Sequence, residues 1–279
     1  MLRKKKAVGI ASFCCILIAL LVGIFIIGNG AKHESIRETM RDAVLHEINK
    51  ISLFGIKDVN PSVISAMTVT VILLFFAALV RIFAIPRFKY VPNKFQLLLE
   101  QLVGFFENLA KSNSPHRNGF LGAYIFSAGV YIFVGTIFEL FGVQGITTEG
   151  HPIVLPAPLS DINAAIAMGC LSYIIILSGG IAGNGLKGVG LTLKDFSLPI
   201  SMSFRLFGAL LSGLLVTELV YYYIQLSFVL PVVVGVLFTL LHALIQTYVL
   251  TMLTALFYGE VSEPSERKSK KQKNIPYKD

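Results

Sequence analysis

The sequence predicts an all-α polytopic membrane protein with five core transmembrane or tilted helices, a cytoplasmic interfacial amphipathic helix and one extra N-terminal apolar span. Three observations predict it. Of 279 residues, 54% are hydrophobic and only 14% charged, whereas an average soluble domain carries roughly 25% charged residues. The apolar residues gather into six runs, each near the roughly 20 residues that cross a bilayer. The basic residues stand at the ends of those runs, which is the positive-inside pattern.

The first run, 7–28, follows Arg3 and Lys4 to Lys6. That pattern also describes a secretory signal peptide. The run is longer than the usual h-region of about 7–15 residues and no small-x-small site follows, which favours a retained helix. Residues 1–30 are thus an N-terminal span or signal-like segment, and 31–60 an external segment, weakly amphipathic over 31–50. The membrane domain, 61–258, holds runs at 63–85, 120–141, 162–181, 198–223 and 228–258. The last two are long enough to tilt strongly. Between the first two of these, Phe95, Leu98, Leu99, Leu102, Phe105, Phe106 and Leu109 recur at spacings of three and four, with polar residues elsewhere. That spacing predicts an amphipathic helix over 94–110, lying on the cytoplasmic membrane surface. Residues 259–279 form a basic cytoplasmic tail whose polar composition predicts disorder.

Lys and Arg counts orient the spans. Residues 1–6 carry four, 81–118 six, 183–197 two and 259–279 six, while 142–160 carry none. The five in 29–60 are balanced by Glu34, Glu38, Asp42, Glu47 and Asp58. The rich segments belong in the cytoplasm, and six spans return the C-terminus there. The net charge of +8 forms no single patch interleaved with aromatics, so no nucleic-acid partner is expected. Cys14, Cys15 and Cys170 sit in apolar runs without disulfide or metal-ligand spacing. No metal and no cofactor is expected.

Gly183-Asn-Gly-Leu-Lys-Gly188 matches G-x-G-x-x-G, but a dinucleotide site needs that pattern between a strand and a helix. Here it reads as a glycine turn in a short cytoplasmic loop. Arg205 carries more weight. It is the only Lys or Arg between Lys194 and Arg267. A guanidinium stays charged, and its placement at a membrane helix centre costs about 2.5–3.5 kcal/mol on insertion scales. Apolar sequence continues for about twelve residues downstream, so snorkelling offers little relief. Few other polar residues lie in the spans: Glu139, Asp161, Asn163, Glu218, His242 and Gln246. His242 and Gln246, four apart, share one helix face. Each alone suits a helix-to-helix hydrogen bond; together, beside a fixed cation, they resemble an ion relay.

These residues look like subunit a of the F-type ATP synthase. Ser201-Met-Ser-Phe-Arg-Leu-Phe-Gly208 resembles that family's S-x-x-x-R-L-F-G signature. Residues Leu244 to Thr254, with Gln246, resemble its Q-A-Y-V-F-T-x-L-T run. Pro158-Leu-Ser-Asp161-Ile-Asn163 resembles P-T-x-D-x-N, and Val91-Pro92 with Gln96 and Glu100 resembles V-P-x-x-x-Q-x-x-x-E. The resemblance covers about 58–260.

The resemblance implies H⁺, or alternatively Na⁺, translocation beside a rotating c-ring, coupled to ATP synthesis and hydrolysis. Arg205 would face the ring carboxylates and block leak, and Gln246 would hydrogen-bond and orient it. Partners would be the c-ring, the peripheral stalk subunit b, the other synthase subunits and membrane lipid, in a bacterial plasma membrane. The chain itself would be non-catalytic. Asp161, Asn163, Glu218 and His242 would line the external path; Glu139, Ser201 and Ser203 are weaker candidates, the two serines for the internal path.

Two positions depart from the family pattern. Ala209 replaces an Asn four residues after the arginine, and Leu214 replaces a Glu or His nine residues after it. Glu218, one turn beyond Leu214, is the substitute expected. An antiparallel hairpin setting Gln246 against Arg205 puts His242 level with Ala209, roughly 13 Å axially from Glu218. That predicts a water-linked ladder. The rivals are a stand-alone secondary transporter or channel using Arg205 for an anionic substrate, which predicts internal repeats that are not found, and a membrane hydrolase, for which His242 lacks a nucleophile partner in sequence.

Overall fold

The computed structural model describes residues 51–53, 56–148, 150, 152–222 and 230–263, with isolated positions between 15 and 41. Apart from those isolated positions, the N-terminal span at 7–28 lies outside the described residues, as does the tail beyond 263. The elements are β1 (Ile51–Leu53), β2 (Ile56–Val59), α1 (Pro61–Leu79), α2 (Lys94–Asn113), α3 (Gly119–Phe138), β3 (Gln144–Ile146), β4 (Pro152–Val154), α4 (Ile162–Asn184), α5 (Leu186–Lys194), α6 (Ser197–Tyr222) and α7 (Leu230–Ser262). Five helices are long and apolar enough to cross a membrane, at Pro61–Arg87, Gly119–Phe141, Ile162–Asn184, Ser197–Thr217 and Val232–Ser262. The polytopic helical class stands.

Local chemistry sets the ends. Asn60 caps α1, its side chain accepting from the Ser62 N–H, with Pro61 at the first helical position. Proline suits that site because its missing N–H is one the helix cannot use. α1 passes into a π-helical turn, Val80–Ala84, and a 3₁₀ turn, Ile85–Arg87, where Pro86 stops it. Asp161 caps α4 through the N–H groups of Asn163 at 2.7 Å and Ala164 at 3.3 Å. The amphipathic α2 forms as its spacing predicts and buries Gln96, Phe106 and Ala110.

The bundle is built on α3, α4, α6 and α7, with Leu121, Ile125, Ile132, Ile176, Met202 and Leu206 fully buried. Lipid offers no hydrophobic gain for helix association, so close van der Waals contact between small residues must hold it. Gly180 and Gly188 show this: a Cβ on Gly188 would lie 1.9 Å from the Gly180 carbonyl oxygen. The glycine-rich segment is a turn, made by Gly185 at φ +63°. It is tighter than the loop expected, because nine residues after it fold straight into α5. Two antiparallel hairpins, β1–β2 and β3–β4, cap one end of the bundle. Helical periodicity did not reveal them. Ile51, Leu155, Phe138 and Val69 form a small second core beneath them.

Candidate functional site

Arg205 lies on a stripe of α6 that faces away from the bundle core. Ser201, Phe204, Arg205, Gly208 and Ser212 are all exposed, while Met202, Ser203, Leu206 and Leu210 between them are buried. The three-and-four spacing of a 3.6-residue helix makes that division. Among the described residues, Arg205 has no carboxylate partner.

α6 and α7 run antiparallel along one seam. Met202, Arg205 and Leu206 from α6 meet Gln246, Val249, Leu250 and Leu253 from α7 around a narrow crevice that has no room for a water molecule. Gln246 is only 6% exposed. It shares the crevice with Arg205, and no hydrogen bond joins the two in this arrangement.

Further along the seam, His242 lies against Gly213: a Cβ on Gly213 would sit 3.5 Å from the imidazole Nδ1. Phe238, one turn back on α7, holds the ring from its own helix, with centroids 5.9 Å apart. The ring is thus a turn beyond Ala209. Side chains on a helix lean toward its N-terminus, and in an antiparallel pair that lean carries His242 along α6 toward Glu218. Glu218 follows Gly213 by five residues, about 7.5 Å of helix rise.

The remaining candidates divide between two places. Asp161 begins α4, and its carboxylate also accepts from the Asn60 side-chain amide. Asn163 follows with its side chain exposed. The turn before them, Pro158–Ser160, packs on α6. Glu139 opens the 3₁₀ turn Glu139–Phe141, which packs against α7. Ser203 points elsewhere: it donates to the Pro199 carbonyl at 2.6 Å and abuts Gly169 of α4. Ser201 stays on the exposed arginine stripe. Among the described residues, no group of His, Cys, Asp or Glu converges to hold a metal ion.

Three residues of this region were not singled out by sequence: Asn60, Gly213 and Phe238. Only Asn60 carried a signal, since Asn followed by Pro before an apolar run marks a helix start.

A helical membrane domain with an outward-facing arginine, backed by a buried glutamine from the next antiparallel helix, defines a narrow class. The chain belongs to the ATP synthase A chain family, which it matches over residues 63–259. It is similar to the ATP synthase subunit a of Cereibacter sphaeroides strain ATCC 17025, with 26% identity over 179 residues, 60% of this chain and 69% of the relative. The subunit a of strain ATCC 17029 matches with the same identity and coverage.

Proposed function

We propose that this chain is the membrane stator subunit that carries ions past a rotating c-ring in an F-type ATP synthase. The ion is H⁺ or Na⁺, and the ring carboxylate site, which belongs to another subunit, sets that choice. The chain contributes a path and a charge and performs no phosphate chemistry. Its partners in this reading are the c-ring, the peripheral stalk subunit b and membrane lipid. The membrane is the bacterial plasma membrane, with the C-terminus cytoplasmic.

One observation carries the reading: Arg205 is exposed on the outer stripe of α6 and, among the described residues, has no carboxylate partner. A permanent cation on a membrane-facing surface is costly, and a ring carboxylate supplied by a neighbour offsets that cost. As each carboxyl group arrives, the guanidinium favours its ionised form and so expels the bound ion. Lysine suits the role poorly, because its proton is lost more readily in an apolar site. In this reading the Gln246 carboxamide steadies the guanidinium across the narrow crevice, whose lack of room for a water opposes leak. His242, reached through Glu218, supplies the next step of the external path. Asp161, Asn163 and Glu139 stand nearer its mouth, and Ser201 on the arginine stripe serves the internal side.

Arg205→Ala in the assembled complex tests this. The expected result is assembly with the c-ring and loss of ATP synthesis. Synthesis retained at the wild-type rate refutes the proposal.

A further inference from the structure

Asp161 is held by more donors than a helix cap needs. One carboxylate oxygen accepts the N–H groups of Asn163 and Ala164. The other accepts the side-chain amide of Asn60, which comes from 101 residues earlier in the chain. Asn60 is fixed in turn, since its own oxygen takes the Ser62 N–H at 2.9 Å. One carboxylate and one carboxamide therefore tie together the N-termini of α1 and α4.

This geometry bears on what Asp161 can do. Both oxygens face donors, and an amide N–H₂ cannot accept a proton from a carboxylic acid. Three donors take three of the carboxylate's roughly four lone-pair sites and hold it in one orientation across the two helix starts. Two helix N-termini also converge there, each with positive potential that favours an anion. Of the ionisable residues described with their side chains, Glu139 adjoins this end, in the turn that follows α3, the helix on which the Pro158–Ser160 turn packs.

We infer that Asn60 is a positioning residue that holds Asp161 as a fixed anion at the external mouth of the ion path, where it concentrates the incoming cation and does not itself relay it. The inference rests on the ion-translocation reading and goes further: it separates a charge that attracts from groups that transfer, and it assigns a role to Asn60. A cleft of one charge sign raises the local concentration of the opposite ion. Such a residue governs how much external ion half-saturates the motor and leaves the maximal rate alone.

The test uses the assembled complex in liposomes, reading ATP synthesis against external ion concentration. Asp161→Asn keeps the cap, because Asn caps as well as Asp, and removes the charge. The half-saturating concentration is expected to rise about tenfold with the maximal rate unchanged. Asn60→Ala, with the charge kept and its holder lost, should shift it in the same direction. The exchanged pair Asn60→Asp with Asp161→Asn restores one charge, one amide and both caps, and should return half-saturation to within about twofold of wild type.

A silent Asp161→Asn overturns the inference, leaving a structural latch alone. Failure of the exchange to rescue overturns it in favour of a relay fixed at position 161. An unshifted Asn60→Ala removes the positioning role. Arg205→Ala run alongside keeps the layers apart: synthesis surviving there fails the broader reading, whereas a dead Arg205→Ala beside a silent Asp161→Asn fails only this one.

Discussion

The imidazole of His242 rests on the bare backbone of Gly213, with Nδ1 3.5 Å from where a Cβ would stand. That spacing is ordinary van der Waals contact, so one methyl group fits and a branched side chain does not. Gly213→Ala should leave ATP-driven ion pumping within about twofold, whereas Gly213→Leu, which displaces the ring, should lower it by about a hundredfold or more, the scale of a lost proton-transfer group. Pumping by assembled complexes in inverted vesicles makes the comparison. Equal activity in the two variants would show that the ring position does not matter.

Glu218 is the expected partner in that step. Gly213 and Glu218 are separated by about 7.5 Å of helix rise, a gap one or two waters span. Glu218→Leu should therefore reduce pumping about as much as His242→Ala, and the double variant should cost little more than either alone, because residues acting as one unit are not additive. Unchanged pumping in Glu218→Leu removes Glu218 from the path.

Gln246 backs Arg205 from the neighbouring helix and is almost wholly buried. Gln246→Leu preserves most of its volume, so the α6–α7 seam should still assemble. Gln246 is the one polar residue that α7 brings to the crevice beside Arg205, and without it ATP synthesis should fall by about tenfold, the scale of 1.4 kcal/mol. A Gln246→Leu complex with wild-type synthesis would leave Gln246 as packing alone.

How much of this was legible differs from element to element, for physical reasons. The five long helices announce themselves because a bilayer demands length and apolarity together, and α2 because an interface demands periodicity. The hairpins hide, since three- and four-residue strands repeat too little to show a period. Arg205 stands out in the sequence by its chemistry, and Gln246 was set against it by the resemblance; the two share one crevice, but the hydrogen bond expected between them is not formed. The seat of His242 was not, because residue arithmetic places Cα atoms and ignores the lean of the side chain. Asn60 was half legible: its cap follows from the Asn-Pro order, but its bond to Asp161 spans 101 residues and belongs to tertiary structure alone.

Gln96 clamps the segment before α2. Its side chain accepts the Lys89 N–H at 3.0 Å, donates to the Lys89 carbonyl at 2.9 Å and donates to Glu100 at 2.7 Å. Gln96→Leu removes all three bonds and leaves the Lys89 backbone to water. The local cost should be about 1–3 kcal/mol. Tryptic cleavage at Arg87, Lys89 and Lys94 in sealed vesicles should speed up about fivefold or more, since cleavage of an opened segment tracks its population. An unchanged cleavage rate would mean that the turn is held by something other than this clamp.

Gly259 and Gly104 make a matched pair for stability. α7 passes the last residue of α2 so closely that a Cβ on Gly259 would lie 2.0 Å from the Asn113 carbonyl oxygen and 2.9 Å from its carbon. Both atoms are backbone, so neither can swing aside. The turn after Asn113 closes on itself, with Ser114 donating to the Arg117 carbonyl, and is pinned to α7 by His116, bonded to Ser262 at 2.9 Å. Gly259→Ala must therefore push α7 off α2, at a cost of about 1–3 kcal/mol for overpacking. Gly104, inside α2, has nothing within 4 Å of a built Cβ. There alanine only removes the conformational freedom that glycine brings to a helix, a gain of up to about 1 kcal/mol. Thermal unfolding of the detergent-solubilised complex should show Gly104→Ala at or above wild type and Gly259→Ala below it. The same shift in both would mean that the α2–α7 contact is not the tight backbone approach it is here.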